Sequence, residues 1–479
     1  MNILDSEIIT GMLTKLGYEF VDDETKADAV LFNTCSVRDL SERKVLGKLG
    51  SLNLKRKCRP ELVLGVCGCM AELSSDRLLK KNPHIDFACG TRQHGKIPEL
   101  LANAFINRVS MAEITKHNAE HLERITKAFA HLNCDHSHPL SNHTLQKNKS
   151  VMSVSSAKIA VGFQQNTLID ERTALRSKPW SAFVEIVRGC SNFCTYCVVP
   201  YARGPEISRQ PEEIITEIKE LAEDGCIEIT LLGQNVNSYG KDLDNPEITL
   251  ANLLKEVQEI NGIKRIRFLT SNPQDISDEL ISSIAQCDKI CHQIHFPLQS
   301  GSDKILKLMK RKYSLDEYME KVDKLRSAVP DISFSSDFIV GFPGETNEDF
   351  KATRTAMEKI RYTSSFLFKY STRRGTKAAD LEDDVPLEIK KARHQELLAL
   401  QNQTTYEFHK SLVGKTIEVL IEGKSKRNEK NAQGRSRQYF NVVVEDAELN
   451  SGELVNVEIT RATKLSLYGK EIRKRSQQS

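Results

Sequence analysis

The sequence predicts an α/β protein in three folded parts: a small N-terminal α/β domain, a central partial (β/α)6 barrel, and a small C-terminal antiparallel β-barrel. Three observations carry this. Six strand-like runs alternate with amphipathic helices between about residues 182 and 400, the pattern of a parallel sheet curled toward a barrel. A shorter alternation precedes them. The last 65 or so residues carry strand patterns separated by Gly-, Asn- and Lys-containing turns, with no helix between them.

The elements follow in order. Ala29–Phe32, Leu62–Val66 and Ile85–Ala88 are apolar runs of strand length with helical patterns between them. The stretch 117–156 is rich in His, Asn, Ser and Lys and lacks sustained periodicity, which predicts a linker or insertion. Six of the twelve histidines fall between His117 and His143 with Cys134 among them, but their irregular spacing favours a solvated linker over a metal site. The central strands are Phe183–Val187, Ile227–Leu232, Ile266–Thr270, Gln293–Phe296, Ser335–Val340 and Phe366–Tyr370. Ile214, Ile215, Ile218 and Leu221 share one helix face, and Leu250, Leu253, Leu254 and Val257 another. Thr416–Ile421, Tyr439–Val444 and Glu453–Ile459 are the C-terminal strands. The resulting division is 1–105, a linker or insertion over 106–175, 176–408, and 411–474.

The chain has 479 residues, 39% apolar and 28% charged, with a formal net charge of +3. Residues 411–479 hold 13 Lys+Arg against 9 Asp+Glu, so the basic excess lies at the C-terminal end. No apolar run approaches the ~18 residues of a membrane span. Twelve cysteines in a long chain of cytoplasmic type argue for metal or redox work rather than a disulfide framework.

Cys190, Cys194 and Cys197 lie on one short loop directly after a strand. Thiolates at this spacing can converge on one iron–sulfur cluster. Three ligands on a four-iron cluster leave one iron open, and a small amino acid can chelate it through its amino and carboxylate groups. The competing readings are ordinary buried cysteines, or zinc, which usually needs a second pair elsewhere. For Cys58, Cys89, Cys226, Cys287 and Cys291, packing as small buried hydrophobes is the expectation.

The segment Arg188-Gly-Cys-Ser-Asn-Phe-Cys-Thr-Tyr-Cys-Val-Val-Pro-Tyr-Ala-Arg-Gly-Pro-Glu-Ile-Ser-Arg209 resembles the methylthiotransferase family of radical S-adenosylmethionine (SAM) enzymes. Leu231–Gly240, His295–Ser302 and Asp337–Thr346 resemble it too, and the pieces Tyr201–Arg209 and Gln234–Tyr239 favour its tRNA-modifying branch. The resemblance implies a radical SAM core and two [4Fe-4S] clusters. It also implies methylthiolation of C2 of N6-isopentenyladenosine beside the tRNA anticodon. The alternatives are another methylthiotransferase substrate (threonylcarbamoyl-adenosine in tRNA, or a ribosomal protein) or an RNA-binding protein that has lost sulfur insertion. The expected partners are tRNA, an electron donor and a sulfur source. A cytoplasmic monomer is expected.

By the same resemblance Cys35 and Cys69 are ligands of the second, N-terminal cluster. The family's remaining cysteine there would fall upstream of Met1, together with the first strand, so that either the start is displaced or that cluster is defective. Gly233, Gln234 and Asn235, at a strand end, are the candidates to approach SAM; a tight strand-to-loop turn is the competing reading. The region from Leu420 to Arg427, with Gly434-Arg435 and Leu467–Gly469, resembles a TRAM domain, a small RNA-binding β-barrel. It implies Lys424, Lys426, Arg427, Arg435 and Arg437 as contacts to tRNA phosphates. Asn272 and the segment Tyr370–Thr376 depart from the family's usual pattern.

Overall fold

The computed structural model describes residues 1–36, 39–111, 174–176 and 178–472. The His-rich stretch 117–143 therefore lies outside the described residues. Two compact units are present: 1–177 with Tyr201–Arg203, and Lys178–Pro200 with Gly204–Ser479.

In the first unit, β1 (Ala29–Thr34), β2 (Val63–Gly68) and β3 (Phe87–Cys89) form a parallel sheet in that order. Every residue of β2 is buried, as expected of a near-continuous apolar strand covered on both faces. The helices α1 (Asn2–Lys15), α2 (Asp39–Lys55), α3 (Cys69–Lys81) and α4 (Ile97–Met111) supply the cover. Ile9, Leu13, Leu101 and Phe105 pack in one apolar cluster with Val63 and Cys67. Leu49, Leu52 and Leu78 pack in a second with Leu64 and Val66. Adjacent β2 residues thus feed opposite faces, the two-residue period of a strand.

The second unit opens with β4 (Ser181–Glu185) and a short antiparallel ribbon of β5 (Val187–Arg188) and β6 (Ile207–Ser208). β4 pairs in parallel with β7 (Glu228–Leu232), and β7 with β8 (Arg265–Phe268). β9 (Gln293–His295), β10 (Ser333–Val340) and β11 (Ser364–Lys369) form a second parallel set. A bridge from Ile266 to Ile290 links the two, so six parallel strands stand in chain order as an open barrel wall. Val184, Ile229, Leu231, Ile266, Phe334 and Phe338 alternate toward the helices and form the main core. The intervening positions carry polar groups, among them Glu228, Arg265, Arg267, His295 and Ser335. Helix starts are fixed locally: Ser314 with Glu317, and Thr346 with Asp349, form reciprocal capping boxes.

The C-terminal part is a closed barrel ordered β12 (Thr416–Ser425), β13 (Asn428–Ser436), β14 (Asn441–Val444), β16 (Leu467–Glu471), β15 (Leu454–Ala462). It corrects two expectations. β14 and β16 run parallel, so the barrel is not wholly antiparallel. Five strands are present where three were expected. β13 lacks apolar alternation, since Asn-Glu-Lys-Asn-Ala-Gln-Gly-Arg-Ser pairs through its backbone and buries only small side chains. A Cβ on Gly434 would lie 2.1 Å from the Leu420 carbonyl oxygen, so this strand needs glycine there.

This barrel docks on the N-terminal ends of β8, β9 and β10. Arg265 pairs with Glu418 at 2.8 Å and donates to the Arg435 carbonyl at 2.9 Å. Arg267 donates to Glu228 (3.0 Å), to the Arg437 carbonyl (2.9 Å) and to the Ser436 carbonyl (2.8 Å). Ser333 donates to the Gln438 carbonyl at 3.1 Å. In return the Arg437 guanidinium donates to the carbonyls of Asp288 and Ile290 (2.5 and 2.6 Å).

Candidate metal centre

Cys190, Cys194 and Cys197 lie on the loop that leaves β5. Gly189 takes φ +83° at its start, where a Cβ would lie 1.8 Å from the Pro205 carbonyl oxygen. Only glycine lets the β5 and β6 backbones approach this closely. The Cys190 N–H then donates to Gly204 O at 3.1 Å. The far end of the loop is tied to the C-terminus of the helix Asp303–Leu308: Thr195 N–H donates to Met309 O (3.1 Å) and Thr195 Oγ1 to Leu308 O (2.9 Å).

All three thiols are half-buried. Each accepts a hydrogen bond from a different N–H: Cys190 from Asn192 Nδ2 at 3.6 Å, Cys194 from Arg311 Nη1 at 3.4 Å, and Cys197 from the Val199 backbone at 3.4 Å. Burial pushes the Cys197 thiol up to about 12, with the neighbouring Cys194 adding to the shift, and burial raises Cys190 as well. Deprotonating them needs a cationic occupant, as metal ligation supplies. Among the described residues no three His, Cys, Asp or Glu side chains converge on a point where a single ion would sit. A four-iron cluster takes each thiolate on a different iron and suits three sulfurs that are near one another yet spread. The donor set, the N–H groups aimed at the sulfurs and the burial all fit such a cluster.

Gly233, Gln234 and Asn235 follow β7. A Cβ on Gly233 would meet Val187 Cγ1 at 2.5 Å, so this glycine serves strand packing. Gln234 Oε1 accepts from the Gly189 N–H and steadies the cysteine loop. Its Nε2 is buried and makes no hydrogen bond to the described residues, a donor suited to an acceptor on a bound cofactor. Asn235 is spent on the protein: Nδ2 donates to Asp275 (2.7 Å) and Oδ1 accepts from Asn272 N–H (3.2 Å). His295 is held by Ser335 Oγ at 3.0 Å, with Asp337 at 3.5 Å.

Sequence reasoning missed Arg311, Asn192, Asn272 and Gln274. Gln274 Nε2 donates to Asn192 Oδ1 (2.9 Å), and Arg311 Nη2 to Asn272 Oδ1 (3.1 Å). Asn192 sits inside the cysteine motif and Asn272 at a departure from the family pattern, so both carried a local signal. Arg311 carried none.

In the first unit, Cys35 follows β1 and Cys69 opens α3, near enough for Cys35 to contribute to the Cys69 thiol's environment. Burial, first of all, raises Cys69. Thr34 Oγ1 links the two segments, donating to Cys67 O (2.6 Å) and accepting from Met70 N–H (3.2 Å). Cys67 is fully buried in the apolar core and stands in register with Cys89. Cys35 and Cys69 alone are one thiol short of the set on the other loop. Cys89, Cys226, Cys287 and Cys291 are buried as expected; Cys58 is exposed, which corrects its assignment.

In the C-terminal barrel, Lys426 and Arg427 form the two-residue turn between β12 and β13, and Lys424 lies beside it; all three are exposed. Arg435 faces Glu422 (3.7 Å) and the Tyr439 ring (4.8 Å), and Arg437 is committed to the docking contact. Arg437 thus has partners in the core, whereas Arg435 stays within the barrel and is one-third exposed.

The Radical SAM superfamily matches residues 184–357, Uncharacterized protein family UPF0004 residues 1–90, and the TRAM domain residues 410–471. A "tRNA-2-methylthio-N(6)-dimethylallyladenosine synthase" of Clostridium botulinum is 41% identical over 474 residues, covering 98% of this chain and 95% of that protein. One of the same name from Thermoanaerobacter pseudethanolicus is 42% identical over 471 residues, covering 98% of this chain and 90% of that one. Among solved structures, the radical S-adenosylmethionine methyltransferase TsrM of Kitasatospora setae superposes with a TM-score of 0.50 at 16% identity. The match covers 78% of this chain and 73% of that one, a likeness of fold.

Proposed function

Because the chain belongs to the tRNA-2-methylthio-N(6)-dimethylallyladenosine synthase family of radical SAM enzymes, we propose that it methylthiolates C2 of N6-isopentenyladenosine beside the anticodon of tRNA. The observation that carries this reading is the set of three half-buried thiols on one loop, each receiving an N–H, at the head of a six-stranded parallel wall. Reductive cleavage of SAM, and with it hydrogen abstraction from C2, is the chemistry that a [4Fe-4S] cluster supplies when bound to Cys190, Cys194 and Cys197.

The chain's own residues do the positioning. Gly189 and Gln234 fix where the cysteine loop begins, and Thr195 fixes where it ends. The unpaired Gln234 Nε2 offers one hydrogen bond to bound SAM. Cys35 and Cys69 serve sulfur insertion, which requires a sulfur source as the radical step requires an electron donor. Lys424, Lys426 and Arg427 approach tRNA phosphates, and a splayed adenosine enters the core. The reaction takes place in the cytoplasm, where tRNA is met.

Nucleoside mass spectrometry tests the proposal. A strain lacking the gene should accumulate unmethylthiolated isopentenyladenosine in its tRNA, and the parent chain but not a Cys194→Ala variant should restore the 2-methylthio nucleoside. Normal 2-methylthio-isopentenyladenosine in the deletion strain would refute it. Loss of the methylthio group from threonylcarbamoyl-adenosine in tRNA, or from a ribosomal protein, would point to another substrate.

A further inference from the structure

We propose that Arg311 is a positioning residue that tunes the reduction potential of the cluster held by Cys190, Cys194 and Cys197, through its hydrogen bond to the Cys194 sulfur. The inference rests on the reading of these thiols as a cluster site and deepens it.

The geometry that aims Arg311 is deliberate at the level of the backbone. The helix Asp303–Leu308 ends at Met309, and Lys310 follows in the left-handed region with φ +59°. Lys310 N–H donates to Lys307 O (3.0 Å) and Arg311 N–H to Leu306 O (2.8 Å). These are the two bonds of a Schellman motif, with lysine where glycine is usual. A non-glycine residue there costs about 1 kcal/mol or more. The turn delivers the guanidinium to the cysteine loop.

Four of its contacts are then fixed: Nη1 to Cys194 Sγ (3.4 Å), Nε to Tyr313 Oη (2.8 Å), and Nη2 to Asn272 Oδ1 (3.1 Å) and Pro297 O (3.3 Å). The cation also lies 5.0 Å from the Tyr313 ring centre. Among the described residues no carboxylate pairs with this cation, so its charge is directed at the cysteine loop. An arginine guanidinium is not deprotonated in proteins, so the group stays charged.

An N–H and a full positive charge at a cluster sulfur stabilise the state with one more electron. Hydrogen bonds to sulfur and local charge are established determinants of cluster potential. Arg311 therefore raises the potential and makes the cluster easier to reduce. Asn272 orients the guanidinium from the other side and ties it to Asn235 through the Asn272 N–H.

The test uses the full-length chain, reconstituted anaerobically and titrated under EPR. Arg311→Met should keep its iron at the three thiols, with a midpoint potential shifted in the negative direction. At a fixed potential the ratio of reduced to oxidised cluster should fall about tenfold, 59 mV for a one-electron couple. Arg311→Lys, which keeps the charge but loses the planar fork, should shift less. Lys310→Gly should leave the potential where it is. An Arg311→Met chain with a full cluster at the parental potential overturns the proposal. So does failure of both Arg311 variants to hold iron, which would assign the residue to assembly instead. A parent chain that takes up no iron at these thiols overturns both this inference and the reading beneath it. Because no tRNA enters the measurement, a wrong nucleoside assignment leaves the potential unaffected.

Discussion

Replacing Arg267 by methionine should cost about 4 kcal/mol of stability and loosen the C-terminal barrel from the core. The side chain is 2% exposed and makes three hydrogen bonds, one to Glu228 and two to the backbone carbonyls of Ser436 and Arg437 at the end of β13. Burial alone would lower its pKa, but Cys291 and Glu228 together hold it above the ordinary arginine value. Methionine keeps much of the volume and removes the charge. Among the described residues Glu228, 10% exposed, is then left with Arg265 at 3.8 Å, and Arg265 is already paired with Glu418. Breaking a buried pair by deleting one partner costs about 3–5 kcal/mol, mostly as the uncompensated charge left behind. Urea denaturation of the purified chain measures the loss, and limited proteolysis in the β13–β14 connection reports the loosening. A second substitution separates the cause: Glu228→Gln added to Arg267→Met should recover part of the loss, since the stranded charge is gone. A single variant within about 1 kcal/mol of the parent refutes the reasoning. So does a double variant no more stable than the single one.

Gly189→Ala should abolish cluster binding while leaving helix content intact, because its Cβ meets backbone at 1.8 Å and its φ of +83° disfavours alanine; iron analysis and circular dichroism check this. Converting Lys424, Lys426 and Arg427 together to alanine should weaken tRNA binding and flatten its salt dependence by roughly 0.7–0.9 in log–log slope per lost phosphate contact, whereas Arg437→Ala should lower stability instead. His409 should confer a pH dependence. Burial holds its pKa below the ordinary 6.5, partly offset by its hydrogen bond to Thr463 O (2.7 Å). The unfolded chain then binds more protons, so the contribution is complete above 6.5 and is lost as pH falls through the folded value. Denaturation at about pH 7.5 and about pH 5.5 should show the drop, and His409→Gln should reduce it; an unchanged drop counts against the assignment.

The parts of the site legible in the sequence are those whose signal is local. Three cysteines within eight residues after a strand declare their chemistry without the fold, and the alternation of strand-like runs with amphipathic helices declares the wall. Arg311 was not legible, because it reaches Cys194 across 117 positions and its placement depends on a lysine adopting a conformation that sequence patterns assign to glycine. Arg435 and Arg437 show what a basic run leaves open. A basic run looks alike whether its charges meet water, phosphate or the carbonyls of a neighbouring domain, and burial decides. β13 was hidden because a strand in a closed barrel can be stabilised by its ladder alone, with glycine and small residues inside. The two ends of Gln234 differ in a way no sequence pattern reveals: its oxygen steadies Gly189, and its nitrogen has no partner among the described residues.

The docking of the barrel also makes the two rims of the core unequal. The rim formed by the starts of β8, β9 and β10 is occupied by protein, its carbonyls and guanidinium groups already satisfied by one another. At β8, β9 and β10 that end of the core is therefore closed to a guest molecule.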